Sequence, residues 1–417
     1  MSAPTRSTSA HSRTSSGSAP AESTATLTGG CVNPIRLRGF YQRISADTGE
    51  VLARLGSPEI GDGVLLVACK DRRASCCPAC ARLYERDAYQ LLAAGLRGGK
   101  SVPASVGTHP AVMLTLTAPS FGAVHGNRYR GWPCKCGRRH AADDPELGTA
   151  IDPERYRYAE QVIWNHYAPE LWKRTVQAIR RGLAQALGTP RSKLSQTVRV
   201  RFAKVAEFQR RGVVHYHAII RIDGPEGAQA PPPSGCTTEV LAEVVAAAAK
   251  AASVVLAEPL LSQLAPGAVA KVRWGAQRKV VALDQQTCTR AAGYIAKYAT
   301  KATETSTGGQ LITPIRSRGS LAGLKLPQHA RALITTAWTI GQRTGVDALK
   351  RWAHQFGYGG HTLTKSHHYS VTFATLRAAR ANWREQAVGE DRVIVRSKLT
   401  YGGRGYRPRA SSRDQPR

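Results

Sequence analysis

The densest chemistry in the chain lies in Glu207-Phe-Gln-Arg-Arg-Gly-Val-Val-His215-Tyr216-His217. In a β-strand, residues i and i+2 share a face, so His215 and His217 present two imidazoles side by side. Their neighbours Val214, Ala218 and Ile220 are apolar, which puts the strand in a core sheet. Arg210-Arg211-Gly212 fits a three-residue hairpin loop with glycine at the left-handed position. That register pairs Gln209 with Val213 and sets Glu207 opposite His215. Two imidazoles and one carboxylate make a divalent-metal site with positions left open. With Mg2+ or Mn2+, those positions would take a phosphodiester and polarise it. Alone, His-x-His reads rather as a chance pair on a solvated strand face; Glu207 within reach reverses that in favour of a metal.

The second constellation is Tyr294, Lys297, Tyr298 and Lys301, which fall at helical i, i+3, i+4, i+7 spacing. The opposite stripe is Ala292, Ile295, Ala296, Ala299 and Ala302. The small apolar stripe should pack and the Tyr/Lys stripe should look outward, the reverse of an aromatic core stripe. A tyrosine hydroxyl with a pKa of about 10 is a poor nucleophile. Lysines nearby and a metal on the phosphate would favour attack by the phenolate. Attack on a DNA phosphodiester conserves the bond energy in a phosphotyrosine and permits rejoining without ATP.

The elements that must carry these residues follow from patterning. Strands are expected near 64–69, 111–117, 197–208, 213–222, 269–274 and 278–283. Helices are expected over Leu83–Leu96, 153–187, 238–258, Thr289–Lys301 and 328–341. Residues 120–150 read as a loop. The organisation expected is a disordered Ser/Thr/Ala-rich tail over 1–30, an N-terminal region over 31–140 and a catalytic core over 105–305. A C-terminal region (306–390) and a basic tail (391–417) follow, mobile after Gly402. Cys77-x-x-Cys80 with Cys134-x-Cys136 would build a four-thiolate zinc site, with Cys69 or His140 able to replace one ligand. Cys31, Cys236 and Cys288 read as ordinary buried residues.

Charge gives the partner. The 417 residues hold 59 Lys+Arg against 28 Asp+Glu, a net charge of +31. The first 30 residues contribute only Arg6, Arg13 and Glu22, and most of the excess lies between residues 31 and 390. A basic folded surface of this size points to a polyanion, above all nucleic acid. Arg210, Arg211, Lys301 and Lys365 are the candidate DNA contacts, the last in a polar segment with His361 and the adjacent His367 and His368. No apolar run is long enough for a membrane span, and the N-terminus lacks a secretory apolar core. Clustered cysteines suit a reduced, cytoplasmic compartment.

Leu114-Thr-Leu-Thr-Ala-Pro119, then Glu207 to His217, then Tyr294-Ile-Ala-Lys297-Tyr298 stand in the order of the three HUH endonuclease motifs. The paired Tyr-x-x-Lys-Tyr resembles the two-tyrosine replication proteins of small isometric bacteriophages. Over roughly 31–385 the chain more closely resembles RepSA-type replication initiators of actinobacterial plasmids and integrative elements, through Cys77-Pro-Ala-Cys80, Thr117 to Gly122, Lys204 to His217 and Leu363-Thr-Lys-Ser366. The resemblance implies an α+β fold: an HUH-type central antiparallel sheet with helices on one side, a Cys-rich N-terminal insertion and a partly helical C-terminal region. It implies rolling-circle initiation by a nick at origin DNA, single-stranded, cruciform or supercoiled, with host helicase and polymerase to follow. His215 and His217 would be ligands, Tyr294 the nucleophile, Tyr298 a second acceptor and Lys297 the residue that positions phosphate or phenolate. Both tyrosines begin a Tyr-x-x-Lys, and Ile295 favours Tyr294. A relaxase, a two-tyrosine transposase and a non-catalytic zinc-stabilised DNA-binding protein are the competing readings.

Overall fold

The strand that carries the two histidines is apolar at nearly every other position, the pattern of a strand covered on both faces. A computed structural model describes residues 28–56, 64–126, 133–264, 270–301, 303, 306–307, 314–387 and 393–405. They form two compact units, one from residues up to Cys69 with those after 391, the other from 70–390. The expected region 31–140 therefore divides between the two.

In the first unit, β1 (Ile35–Ser45) is central, paired antiparallel with β2 (Val51–Gly56), β3 (Leu65–Val67) and β11 (Val393–Arg404). The expected basic tail is thus corrected over 393–404. Ile35 pairs with Arg404 and Ser45 with Val393, so Gly402 and Gly403 belong to a strand rather than a mobile arm. A β-rich run that finds its partner some 350 residues earlier carries no local sign of the pairing. Residues 1–27 and 406–417, expected to be disordered or mobile, lie outside the described residues.

The second unit is built on a five-stranded antiparallel sheet in the order β10-β5-β6-β4-β9. These strands are β4 (Ala111–Leu116), β5 (Arg199–Phe208), β6 (Val214–Asp223), β9 (Arg278–Leu283) and β10 (Leu363–Lys365); a small β7–β8 pair (Ser253–Val255, Lys271–Arg273) stands apart. The fold is α+β, but helices cover both sheet faces, not one. Val112, Leu114, Val214, Tyr216, Ala218 and Phe208 pack on one face against the helices Tyr158–Ala186, Thr238–Ala251 and Gln328–Thr344. Ala111, Ala203, Val205 and Ile219 pack on the other against Pro78–Arg97 and Gln285–Tyr298. Period-2 alternation then sends Thr115, Glu207, His215 and His217 to this second face.

The β5–β6 turn is tied down from behind. Gly212 lies in the left-handed region at φ +77° and its N–H bonds to the Gln209 carbonyl, while Gln209 N–H donates to Val213 O. Asn165, fully buried on the long helix, donates to the carbonyls of Gly212 and Phe356 and accepts from Val214 N–H. Truncation would leave three backbone groups unpaired in the core. Asn165→Ala is expected to cost at least about 2 kcal/mol of stability in urea unfolding; a loss below about 0.5 kcal/mol, the range of an ordinary surface change, would show that the clamp is dispensable.

Candidate active site

The tyrosine helix, Gln285–Tyr298, starts at an Asp284 cap that exchanges hydrogen bonds with Thr287 in a capping box. It buries Ala292, Ile295 and Ala296 of the small stripe expected to pack, with Ala291 beside them, and Ala299 just past its end is buried too. Small residues let the helix lie close to the sheet, and the opposite stripe remains outside. The carbonyls just past its end, of Ala299 and Lys301, accept from the Arg72 guanidinium at 3.2 and 2.9 Å. This contact fixes where Lys301 leaves the helix.

The turn register is the one read from the sequence, with Glu207 opposite His215. The two imidazole centroids are 4.6 Å apart. Each ring is held at Nδ1 by a β4 hydroxyl or its continuation: His217 shares a hydrogen bond with Thr115 Oγ1 (3.2 Å) and His215 with Thr117 Oγ1 (3.1 Å). Where Nδ1–H donates to the hydroxyl, the Nε2 lone pair is open to a ligand. His217 Nε2 faces Glu207 Oε2 at 3.6 Å, and the other carboxylate oxygen accepts from Lys301 Nζ at 2.9 Å. The tyrosines close the group. Tyr298 stacks on His217 at 4.8 Å, Tyr294 meets the same ring edge-on at 5.3 Å, and Lys301 Nζ sits 4.6 Å from the Tyr298 centroid.

Burial raises the Glu207 carboxyl, but hydrogen bonds from His217 and Lys301 outweigh it and the pKa falls. Burial, with His217 alongside, brings His215 down to about 4. Tyr294 moves the other way, to about 12, through its hydrogen bond with Tyr298, then burial and the Glu207 charge, with Lys301 opposing. In the protein on its own, the lowering by Lys301 is outweighed by these effects. Lys301 is turned to Glu207, and Lys297 is exposed. Tyr294 remains 45% exposed, open to a strand laid across the site. His215, His217 and Glu207 are the residues that would hold a divalent metal here, two imidazoles beside a carboxylate.

Other predicted contacts separate from this group. Arg211 turns inward, its guanidinium donating to Pro119 O, Ala118 O and Gln209 Oε1, because the turn must satisfy a loop that lacks ladder partners. Arg210 is exposed and donates to Ala142 O. Lys365 pairs with Ala203 on β5, about 13 Å along that strand from Glu207, and its ammonium donates to His367 O. His367 and His368 occupy a turn, and their rings meet at 4.2 Å. The four-thiolate grouping is also corrected. Cys134 and Cys136 gather with His125 and His140, while Cys77 and Cys80 begin the helix Pro78–Arg97 and stay out of that set. The orienting hydroxyls Thr115 and Thr117 were not among the expected site residues; their signals in the sequence were the motif segment from Leu114 to Pro119 and the i, i+2 spacing they share with the histidines.

A sheet hairpin bearing two histidines beside a two-tyrosine helix is the setting in which the comparisons with known proteins fall. The chain matches the RepSA family, described as replication initiator protein, pSAM2, over residues 18–413, and it belongs to that family of replication initiators. It is 40% identical over 398 residues to a replication initiator protein of Streptomyces ambofaciens, covering 91% of this chain and 85% of the relative. No solved structure gives a significant match. Membership supports a role in starting plasmid replication. Among the described residues, no helix is long and apolar enough to cross a membrane.

The folded pKa of His215 lies below the ordinary histidine value of 6.5. Between about 4 and 6.5 the unfolded chain binds a proton that the folded chain refuses. The stability from neutral His215 is thus complete above about 6.5 and is lost as pH falls through 4. In the metal-free protein its imidazole NMR signals are expected to remain those of the neutral ring down to about pH 5; a midpoint near 6.5 would show a solvated ring.

Proposed function

We propose that this site nicks and rejoins one strand of origin DNA through a covalent 5′-phosphotyrosine and so initiates rolling-circle replication. One observation carries the reading: two tyrosine rings lie against a histidine that, with its neighbour and a carboxylate, offers a metal-binding donor set. The reading is supported by the resemblance of this grouping to an HUH endonuclease site and by membership of a family of replication initiators.

The chemistry follows from the residues. Tyr294 Oη attacks the phosphorus, its proton leaves to solvent, and the P–O3′ bond breaks. The O3′ atom keeps the electron pair and takes up a proton, leaving a primer end. One phosphoester replaces another, so neither ATP nor hydrolysis is needed. Tyr298, one helical turn on, would accept the second strand end. Bound by His215, His217 and Glu207, Mg2+ or Mn2+ would polarise the phosphate oxygens. Tyr294 must give up its proton to attack, and its raised pKa makes that harder in the protein on its own; a cation held by His215, His217 and Glu207 would offset this by stabilising charge on the phosphate. Lys301 balances Glu207, while exposed Lys297 is free to approach the phosphate. The basic surface holds the strand, with affinity that weakens as salt rises. Host helicase and polymerase would open and extend the nicked DNA in the cytoplasm.

Incubation with single-stranded origin-region DNA and Mn2+ is expected to give a denaturant-resistant adduct that peptide mass maps to Tyr294 or Tyr298. The Tyr294→Phe, Tyr298→Phe double variant should form none and fail to maintain a plasmid; plasmid maintenance equal to wild type would sink the reading. His215→Ala with His217→Ala should lower cleavage by about 10³-fold or more and leave salt-dependent binding in place. Thr117→Val, which frees the His215 ring, is expected to weaken activation by Mn2+ about 10–100-fold; an unchanged Mn2+ titration would remove the hydroxyl from the site.

A further inference from the structure

The loop between β4 and the long helix holds a second group of ligating side chains, outside the tyrosine site. We propose that His125, Cys134, Cys136 and His140 bind one zinc ion, which fastens this loop against the β5–β6 turn. Their four ligand atoms all lie within 4.8 Å of one another. His125 Nδ1 is 3.2 Å from His140 Nε2, Cys136 Sγ is 3.3 Å from His140 Nε2, and Cys134 Sγ is 4.0 Å from His125 Nδ1. Tetrahedral zinc, with Zn–S about 2.3 Å and Zn–N about 2.0–2.1 Å, sets ligand atoms apart by about 3.3 Å for N···N and about 3.6 Å for S···N. The observed spacings bracket those values. Two thiolates with two imidazoles select zinc over Mg2+ or Mn2+.

The surroundings are those of a built site. His140 and Cys134 are buried. His140 Nδ1 lies 2.7 Å from Asp144 Oδ2, the carboxylate that orients a ligating imidazole and leaves Nε2 for the metal. Gly126 N–H donates to Cys134 Sγ at 3.4 Å, supporting negative charge on sulfur. The loop has need of a cross-link. Apart from a single bridge between Val124 and Ala150, its described residues pair with no strand, and long irregular loops hold a fixed shape only when something other than a core fastens them.

The same loop rests on the active-site turn. A Cβ on Gly148 would meet Arg210 Cβ at 2.5 Å, so the two backbones lie as close as glycine allows. Arg210 donates to Ala142 O, and Arg211 to Pro119 O and Ala118 O. Both arginines of the turn are thereby tied to residues that flank the segment from His125 to His140 that the metal would close. The zinc holds the outside of the hairpin that Asn165 clamps from within, four residues from His215.

The test uses the full chain purified with zinc present and reads metal per chain by elemental mass spectrometry. Cys134→Ser with His140→Ala is expected to lose one zinc equivalent and to melt at a lower temperature. Cys136→His, which keeps four ligands, should retain the ion. Co2+ added to the stripped wild-type protein should give the intense visible bands of a tetrahedral thiolate site. Those bands should weaken in Cys136→His, so the assignment stands even where the double variant fails to fold. The same zinc content in wild type and double variant, zinc-free wild type, or Co2+ bands unaffected by Cys136→His would each overturn the proposal. Zinc retention by the Tyr294→Phe, Tyr298→Phe protein keeps this result separate from the outcome for strand cleavage.

Discussion

Everything at the site depends on the packing of one sheet face against the small-residue stripe of the tyrosine helix. β6 is covered on both sides, and on the second side the cover includes Ala291, Ala292, Ile295 and Ala296 beside the helix Pro78–Arg97. Side chains this small bring the helix axis close to the strands. The phenols of the next stripe then reach the sheet where its apolar residues give way to His217, His215 and Glu207. With large residues in the stripe the helix would stand off, and no ring of the helix could stack on His217. The stacking distance of 4.8 Å is a consequence of alanine.

Polar groups in such a place must be satisfied or they would be expelled. Each has a partner from a different element. Thr115 and Thr117 come from β4 and the residues just past it, Lys301 from beyond the helix end, and Glu207 from β5. The result leaves one side of each imidazole committed and the other directed at the carboxylate or the opening. The opposite end of β6 shows the same rule in a different use. Arg221 and Asp223 are fully buried there, and Asp223 is joined by His109 and Arg201. Burial raises the Asp223 pKa, but the bonds from His109 and Arg221 prevail and hold it at about 2. One strand thus carries a sealed ion cluster at one end and an accessible polar site at the other.

The local parts of this design were legible from the chain. The hairpin turn, its register and the two helix stripes each depend on residues a few positions apart, where β alternation, helix periodicity and the left-handed preference of glycine act directly. Glu207 opposite His215 and the buried Ala/Ile stripe were readable for that reason. The tail strand Val393–Arg404, helices on both sheet faces and the separation of Cys77 and Cys80 from Cys134 and Cys136 were not, because each depends on which distant segment a residue meets.

By itself the sequence determined the composition of the chemistry: two imidazoles on one strand face, two phenols on one helix stripe, a carboxylate within a hairpin's reach and a large excess of positive charge. Tertiary structure alone decided which nitrogen of each histidine is committed. It also decided that Lys301 rather than Lys297 meets Glu207, that Arg211 faces inward, and that His125 joins two cysteines and His140. The reason is physical. Spacing along the chain fixes the direction of a side chain within its own strand or helix, whereas its partner is set by how closely two elements pack, and that distance is written in residues far apart in sequence.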